Sequence, residues 1–476
     1  MSDCGKSFNC RARFGLWLRR IVAALVFVAF VALFSGLEWS LVEKLAPLAK
    51  LQYMPAVLAG NIVVAVAITA VAVLCGRLYC SVLCPLGLLQ DAANIPGRLV
   101  RRLLKRPPKR GGPVMRHAQL VVRHVVLVAF LAVGLLGLGF SWLEPYGIFG
   151  RATVVWTGSA LVAFIALLSL FGNGRAWCGW VCPVGTFLGL LSRFAPFRLR
   201  IDGSKCIGCR KCERTCKTDA VSIAGRGEGG RIDASLCVDC LGCVAECPVG
   251  AISSRRSAKG AAEGGADKGE GLTRKGFIVG TAAAGAALGA DAAPEEKTVD
   301  GGFAEVTTPG VDERNASLKP AGSRSIANFK ARCVGCQLCV KACPNHVLRP
   351  SRRKGDYMQP EMAFDKGYCT VDCTRCAEVC PAGAIAALDA GVDKEDVHIG
   401  RAVWHNDRCI AAVDGVNCTA CERHCPVKAI KRVKSDVGVM LPVVDAEKCI
   451  GCGACEHVCP ARPMPGMVVE AYERHR

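Results

Sequence analysis

Helices in a membrane, followed by small α+β units rich in cysteine, is the fold class this 476-residue chain predicts. Three observations predict it. Apolar residues make up 51% of the chain and the mean hydropathy is +0.31, high for a soluble protein. The long apolar runs lie in the N-terminal part. Of the 31 cysteines, 24 fall into six tight quartets beyond residue 205.

The runs at residues 21–37, 54–75, 118–140 and 154–172 each approach the roughly 20 residues a helix needs to cross a hydrocarbon core of roughly 30 Å. Lys6, Arg11, Arg13, Arg19 and Arg20 put the N-terminus in the cytoplasm. Between the second and third runs stand Arg98, Arg101, Arg102, Lys105, Arg106, Lys109, Arg110 and Arg116, again a cytoplasmic loop. Four spans then return the chain to the side where it began, and residues 1–198 form the membrane domain. No small-residue cleavage site precedes LEWSLVEKL, so a cleaved secretory signal is not expected at the first run. The net charge of +20 belongs to this half: residues 1–130 hold 17 Lys/Arg against 4 Asp/Glu, residues 331–476 hold 20 against 18. With no aromatic platform beside the charge, a nucleic-acid partner is not expected.

At the cytoplasmic ends of spans two and four the chain reads CSVLCPLG and CGWVCPVG. On a helix, Cys80-x3-Cys84 and Cys178-x3-Cys182 put both sulfurs on one face. The two loops suit either four thiolates on one iron–sulfur cluster or other metal, or two separate dithiol pairs. Cys4, Cys10 and Cys75 have no partner at motif spacing. Ionisable groups in or beside spans are candidates for a quinone head group: His117, Arg123 and His124 on span three, and Glu144 and Arg151 in the periplasmic loop EPYGIFGRA. Snorkelling to the interface explains the first three equally well. No spaced His pairs indicate a membrane b-type haem.

Residues 206–247 contain CIGCRKCERTCK and CVDCLGCVAECP. The run C-x2-C-x2-C-x3-C grips a [4Fe–4S] cube with three close thiolates, and its fourth cysteine serves the neighbouring cube. Cys206, Cys209 and Cys212 are thus expected with Cys247, and Cys237, Cys240 and Cys243 with Cys216. Zinc would use two separated pairs, and disulfides lack such regular spacing. Lys217 stands where a proline usually follows the fourth cysteine. Apolar AVSI and GAIS, with RIDASLC before the second quartet, suggest short strands, and residues 199–253 read as a cytoplasmic two-cluster unit with the α+β fold of bacterial ferredoxins.

The pattern recurs four times in residues 330–476, as Cys333, Cys336, Cys339, Cys343; Cys369, Cys373, Cys376, Cys380; Cys409, Cys418, Cys421, Cys425; and Cys449, Cys452, Cys455, Cys459. The second begins C-x3-C, and in the third eight residues separate Cys409 from Cys418. Six [4Fe–4S] clusters are the expected complement.

Between the two cysteine-rich parts, residues 254–329 form a linker. Within it, TRKGFIV leads a mild Gly/Ala-rich apolar stretch, about 273–290, that ends in ADAAP. A basic pair, a modest apolar run and small residues have the layout of a twin-arginine export signal, with Lys275 in place of the second arginine. Either that signal or a fifth span puts the last domain in the periplasm. A plain linker helix leaves every cube cytoplasmic.

The runs, the CSVLCP and CGWVCP loops and the first ferredoxin unit resemble NapH, the membrane ferredoxin-type family of periplasmic nitrate reductase systems, with NosR and CcoG as relatives. From TRKGF onward, including LKPAG, the chain looks like NapG, the twin-arginine-exported four-cluster partner. The resemblance implies a fusion that relays electrons from the quinone pool to a periplasmic reductase or cytochrome-type acceptor. It also implies that in the last domain the first motif shares cubes with the fourth and the second with the third. Cys459 would then complete the set of Cys333, Cys336 and Cys339, with Cys343 completing that of Cys449, Cys452 and Cys455. Likewise Cys425 would join Cys369, Cys373 and Cys376, and Cys380 would join Cys409, Cys418 and Cys421. Two other functions fit the same residues: a CcoG-like maturation or regulatory factor using the CxxxCP loops, and an all-cytoplasmic polyferredoxin wire. No catalytic triad, phosphate loop or nucleotide fingerprint is present.

Overall fold

The computed structural model describes residues 8–35, 38–103, 113–135, 143–152, 154, 156–171, 174–225, 229–253, 298–300, 304–306, 314, 316–353, 355–388, 391–435 and 438–476. The export-like stretch 273–290 and Cys4 lie outside these residues.

Among the described residues eleven helices build the N-terminal part: α1 (Phe8–Ser35), α2 (Trp39–Lys50), α3 (Tyr53–Ala59), α4 (Ile62–Leu74), α5 (Leu78–Val82), α6 (Pro85–Leu103), α7 (Pro113–Leu135), α8 (Pro145–Arg151), α9 (Trp156–Phe171), α10 (Ala176–Trp180) and α11 (Pro183–Ser192). The predicted run 54–75 is broken into α3 and α4. Gly60 takes a left-handed turn (φ 73°), and the Asn61 side chain then accepts the Val64 N–H at 3.3 Å to cap α4. At 13 residues α4 is about 20 Å long. Among the described residues only Phe14–Ser35 is long and apolar enough to cross a membrane by itself; Ile62–Leu74, His117–Val133 and Ser159–Leu170 are shorter apolar helices. The four full-length spans expected from the sequence are therefore one long helix and three shorter ones.

These four helices alternate in direction between two cysteine-rich units. α1 starts against the first unit, where Gly15 meets Leu241, and ends with Phe34 packed on the Gly150–Cys336 contact of the second. The nineteen-residue step from Gly15 to Phe34 is about 28 Å of helix. The chain returns through α4, from the end of α3, where Ala59 lies beside Gly383, to Leu74, whose carbonyl accepts the Phe197 N–H at 3.2 Å. α7 leaves the first unit again, with Arg123 bonded to Ser235, and α9 comes back towards Gly174, which lies on Lys217. Each of the four turns large apolar side chains outward: Leu25 and Val28, Ile62 and Val66, Val125 and Val128, Phe164 and Leu167.

The first unit is a small α+β fold. β1 (Arg200–Ile201) and α12 (Lys211–Thr215) come first, then β2 (Val221–Gly225) and β3 (Gly229–Ile232), and finally α13 (Gly242–Glu246) and β4 (Ile252–Ser253). β1 pairs antiparallel with β4 and β2 with β3, so the chain ends meet and the two loop-helix segments share one core. The apolar stretches after each fourth cysteine form strands, as predicted, because their alternate residues Val221, Ile223 and Ile252 bury on the cluster side.

The second unit uses the same plan twice. Leu348–Pro350 pairs with Pro360–Met362, Ile430–Lys434 with Met440–Val444, and Gly400–Trp404 with Met467–Ala471, all antiparallel. Its largest core continues without a break into the helices: Phe329, Val334, Leu338 and Phe364 cluster with Phe30, Leu33, Phe34, Val42, Tyr146 and Phe149. Removing this much aromatic and aliphatic surface from solvent, at roughly 25 cal/mol per Å², ties the second unit to the far end of α1.

Candidate metal centres

Each cysteine loop wraps around a point by the same local device. In the four regular motifs the residue after the second cysteine is left-handed: Arg210 (φ 54°), Leu241 (58°), Gln337 (63°) and Gly453 (82°). A short helix follows, and the turn directs backbone N–H groups inward, a concavity suited to a negatively charged cluster. The two motifs with irregular spacing lack this turn; Thr374 and Thr419 take φ −116° and −117° instead.

The fourth ligand then arrives from the neighbouring loop. Cys206, Cys209, Cys212 and Cys247 line one small cavity with Ile201, Ile223 and Ile252. Cys243 faces Cys240 and Cys216. In the second unit Cys339 faces Cys333, Cys336 and Cys380, and Cys376 faces Cys369, Cys373 and Cys343. Cys452 and Cys455 gather with Cys449 and Cys425. Cys409 gathers with Cys418 and Cys421, and Gly466, packed on the Cys409 backbone, donates its N–H to Cys459 Sγ at 3.2 Å.

The pairing is thus first with second and third with fourth. It overturns the first-with-fourth, second-with-third arrangement that the NapG resemblance implied. The physical reason is chain proximity: the Leu348–Met362 hairpin folds the second motif back onto the first, and the hairpin at Ile430–Val444 does the same for the later two. The pairs touch through Cys369, whose N–H donates to the Cys452 carbonyl at 3.0 Å.

Backbone N–H groups donate to the remote sulfurs: Ala220 to Cys216 at 3.2 Å, Ala251 to Cys247 at 3.3 Å, Ile385 to Cys380 at 3.4 Å and Ala429 to Cys425 at 3.2 Å. Burial pushes the Cys333 thiol up to about 12 and Cys421 up to about 11, so iron binding there must displace protons. Three close thiols with a fourth from the neighbouring loop are the donor set that a [4Fe–4S] cube takes. When bound, such a cube accepts and returns one electron.

One sulfur has a cation on it: Lys394 Nζ donates to Cys369 Sγ at 3.2 Å and to the carbonyls of Thr370 and Cys373. Positive charge at a ligand raises a cluster's potential. Lys394→Met is expected to lower that cube's midpoint by about 60 mV, a tenfold change in a one-electron equilibrium. An EPR-monitored redox titration in which all midpoints match wild type would refute this.

The two CxxxCP loops converge. Cys84 faces Cys80, Cys178 and Cys182, and all four are buried within the bundle. Gln90 Nε2 donates to Cys178 Sγ at 3.1 Å and the Gly185 N–H to Cys182 Sγ at 3.2 Å. The duplication is longer than the cysteine motif, GRLYCSVLCPLG at 76–87 against GRAWCGWVCPVG at 174–185, and the arginines are exchanged. Arg175 Nη1 donates to the Cys80 carbonyl at 2.6 Å and lies on Gly87; Arg77 Nη2 lies on Gly185 of the other loop. Neither arginine was singled out from sequence, although the repeat itself carries the signal.

Arg175 also binds both oxygens of Asp91 at 2.9 Å, and Lys217 Nζ reaches the same carboxylate at 2.8 Å. Burial alone would raise the Asp91 carboxyl, but Arg175 and Lys217 hold it well below its ordinary range. This accounts for Lys217 in place of the usual proline: it docks the first ferredoxin unit on α6.

The predicted quinone residues do not come together. Arg123 is buried, its guanidinium donating to the Ser235 carbonyl at 3.0 Å and to Thr186 Oγ1 at 3.4 Å, a strut between α7 and the first unit. His124 sits half-buried with Nδ1 2.6 Å from the Leu120 carbonyl, and His117 is exposed. At the opposite end Glu144 caps α8 by accepting the Gly147 N–H, and Arg151 donates to the Gly147 carbonyl at 3.1 Å, close to Cys333 and Cys336.

Comparison with known proteins follows the same division. A family described as "4Fe-4S binding domain" matches residues 58–107 and 154–202, the two CxxxCP repeats. A "4Fe-4S dicluster domain" matches 205–251, 332–384 and 415–462. The chain is 29% identical over 231 residues to the putative electron transport protein YccM of Escherichia coli (strain K12), covering 43% of this chain and 59% of the relative. It is 32% identical over 191 residues to the ferredoxin-type protein NapH of the same organism, covering 38% and 63%. It is 32% identical over 144 residues to the methylamine utilization ferredoxin-type protein MauM of Methylophilus methylotrophus, covering 28% and 62%. The chain thus spans about three fifths of the length of these curated relatives. No solved structure matches. The chain is a homologue of the ferredoxin-type electron-transport proteins NapH, MauM, MauN and YccM and carries their 4Fe–4S domains.

Proposed function

We propose that this protein relays electrons across a membrane, between the quinone pool and a periplasmic redox partner such as a reductase or cytochrome, using six [4Fe–4S] cubes. The observation that carries the reading is the position of the two ferredoxin parts at opposite ends of the helical bundle, with Gly15 and Phe34 of α1 against one and the other. The roughly 28 Å of helix between them is close to a hydrocarbon core of roughly 30 Å. The outward apolar side chains of α1, α4, α7 and α9 support the same reading, because a continuous apolar girdle is costly in water. The first unit is cytoplasmic, beside the basic N-terminus; the second is periplasmic, and residues 273–290 lead it there.

Within this reading His117 and His124 are the candidates for a quinone head group, since Arg123 is bonded to the first unit at Ser235 and Glu144 and Arg151 are bonded within α8. A quinol analogue added to the purified full chain is expected to bleach its cluster absorption. Clusters that stay oxidised with quinol, yet are reduced by dithionite, would refute the quinone role. Reporter fusions after residues 260 and 320 test the topology: opposite compartments are expected, and one shared compartment would rule out the relay across the membrane.

A further inference from the structure

We infer that the C-terminal half of α6 lies in the cytoplasmic membrane–water interface, with its apolar stripe among acyl chains and its arginines on the headgroups of anionic phospholipids. The inference rests on the relay reading for the side of the membrane, and adds the lipid surface on which the first ferredoxin unit is seated.

A surface helix normally turns its apolar stripe to the core and its polar side to water. α6 does the reverse. Its polar and small residues face inward: Gln90 and Asn94 are buried, the Asn94 amide donates to the Ser169 carbonyl at 2.9 Å, and a Cβ at Gly97 would overlap the Leu170 carbonyl. Ile95, Leu99 and Leu103, four residues apart and therefore on one stripe, are 71%, 59% and 74% exposed. Such a stripe is costly in water, and acyl chains remove that cost.

The neighbours of α6 set the level of the stripe. Gly97 meets Leu170 one residue before the end of α9, so Leu99 and Leu103 reach past that helix. Arg98 marks the same level, donating to Asn94 Oδ1 at 2.8 Å and to the Thr215 carbonyl of the first unit at 3.4 Å. The stripe therefore sits where the helices meet the first unit. This end of the bundle repeats the combination elsewhere: Phe194 and Phe197 are exposed between Arg193 and Arg198, and the Phe197 N–H bonds the last residue of α4. Large apolar groups flanked by arginine are what a membrane–water boundary takes.

Charge decides which lipid. Arg98 and Arg102 each follow a stripe residue by three positions, along one edge of the stripe, and Arg101 stands beside Arg102 in the last turn. From Arg98 to Arg116 the sequence holds eight basic residues and no acid. Asp91, the one acid of α6, is bonded to Arg175 and Lys217. An anionic phosphodiester headgroup matches this charge, whereas a zwitterionic one brings no net charge to it.

The test uses the full-length chain in vesicles of phosphatidylcholine and phosphatidylglycerol, with a benzophenone side chain placed at Leu99, at Leu103 or, as a control, at Val433 of the second unit. After illumination, mass spectrometry identifies what each position has captured. Lipid adducts are expected at Leu99 and Leu103 and not at Val433. Adducts to a second copy or to another segment of this chain, no adduct, or lipid capture as frequent at Val433 overturns the inference. For the headgroups, short-chain phosphatidylglycerol added to the chain in detergent is expected to raise its melting temperature at concentrations where phosphatidylcholine does not. Arg101→Gln/Arg102→Gln, which leaves the Arg98 bonds in place, is expected to need roughly tenfold more phosphatidylglycerol for the same rise. Equal responses to the two lipids, or of the two proteins, overturn the headgroup assignment. Clusters inert to quinol would refute the relay reading and leave the lipid adducts at α6 unchanged, so the two failures are distinct.

Discussion

Arg175→Met is expected to destabilise the assembled chain by about 3 kcal/mol, the low end for breaking a buried ion pair. Arg175 has no exposed side-chain surface, and its guanidinium serves three acceptors at once: both Asp91 oxygens and the Cys80 carbonyl. Methionine fills the volume but leaves the carboxylate with Lys217 alone and the carbonyl with no donor. Lys217→Met should cost less, about 1.5 kcal/mol, because Asp91 keeps its bidentate partner. Arg175→Lys should rescue little, since an ammonium cannot span both carboxylate oxygens and the carbonyl. Denaturant melts in detergent decide this. Equal, sub-kilocalorie losses for Arg175→Met and Lys217→Met would refute the network. The pH dependence has a definite sign. Asp91 titrates lower in the folded chain than its ordinary 3.8, so its stabilisation is complete above that value and erodes as pH falls below it. The difference between wild type and Asp91→Asn should be flat from pH 8 to pH 5 and shrink below about pH 4.

Gly150→Val is expected to release the second ferredoxin unit from the helices. A Cβ at Gly150 would overlap the Cys336 carbonyl oxygen and come within 2.8 Å of the Phe34 ring, while one at Gly147 would overlap the Val334 carbonyl. These glycines, three apart on α8, form a flat strip on which the Cys333–Cys339 loop rests. The obstructing atoms are backbone, which cannot rotate away, so the cost exceeds the usual 1–3 kcal/mol or so of overpacking. Limited proteolysis should then free an intact, iron-loaded C-terminal fragment. Gly150→Ala should give a weaker version of the same effect. A valine variant as protease-resistant and as stable as wild type would show that the strip is not a docking surface.

Much of the chemistry was legible in the residues alone. Three cysteines within seven residues grip one face of a cluster, and that is local geometry, so the four regular sets follow from spacing. The duplicated CxxxCP loops were visible for the same reason. Spacing also suggested that the two motifs of the first unit exchange their fourth cysteine, and the thiols gather in that way; the family likeness led to a different pairing in the last domain, where the hairpins between motifs bring first to second and third to fourth.

What tertiary structure decided is everything that joins remote segments. Cys80 and Cys178 are 98 positions apart, and whether two dithiols make one site depends on how α6 and α9 pack, which local pattern does not encode. The exchange of Arg77 and Arg175, and the docking role of Lys217, are likewise long-range choices. Charged residues read the same in sequence whether they meet a ligand, lipid or a carbonyl. Arg123, a candidate quinone contact or snorkelling residue in the sequence, is buried with its guanidinium on the Ser235 carbonyl, a partner 112 positions away. Sequence by itself determined which cysteines fall into cluster-like sets, because their spacing is local; packing determined which of them stand together, because it joins segments far apart in the chain.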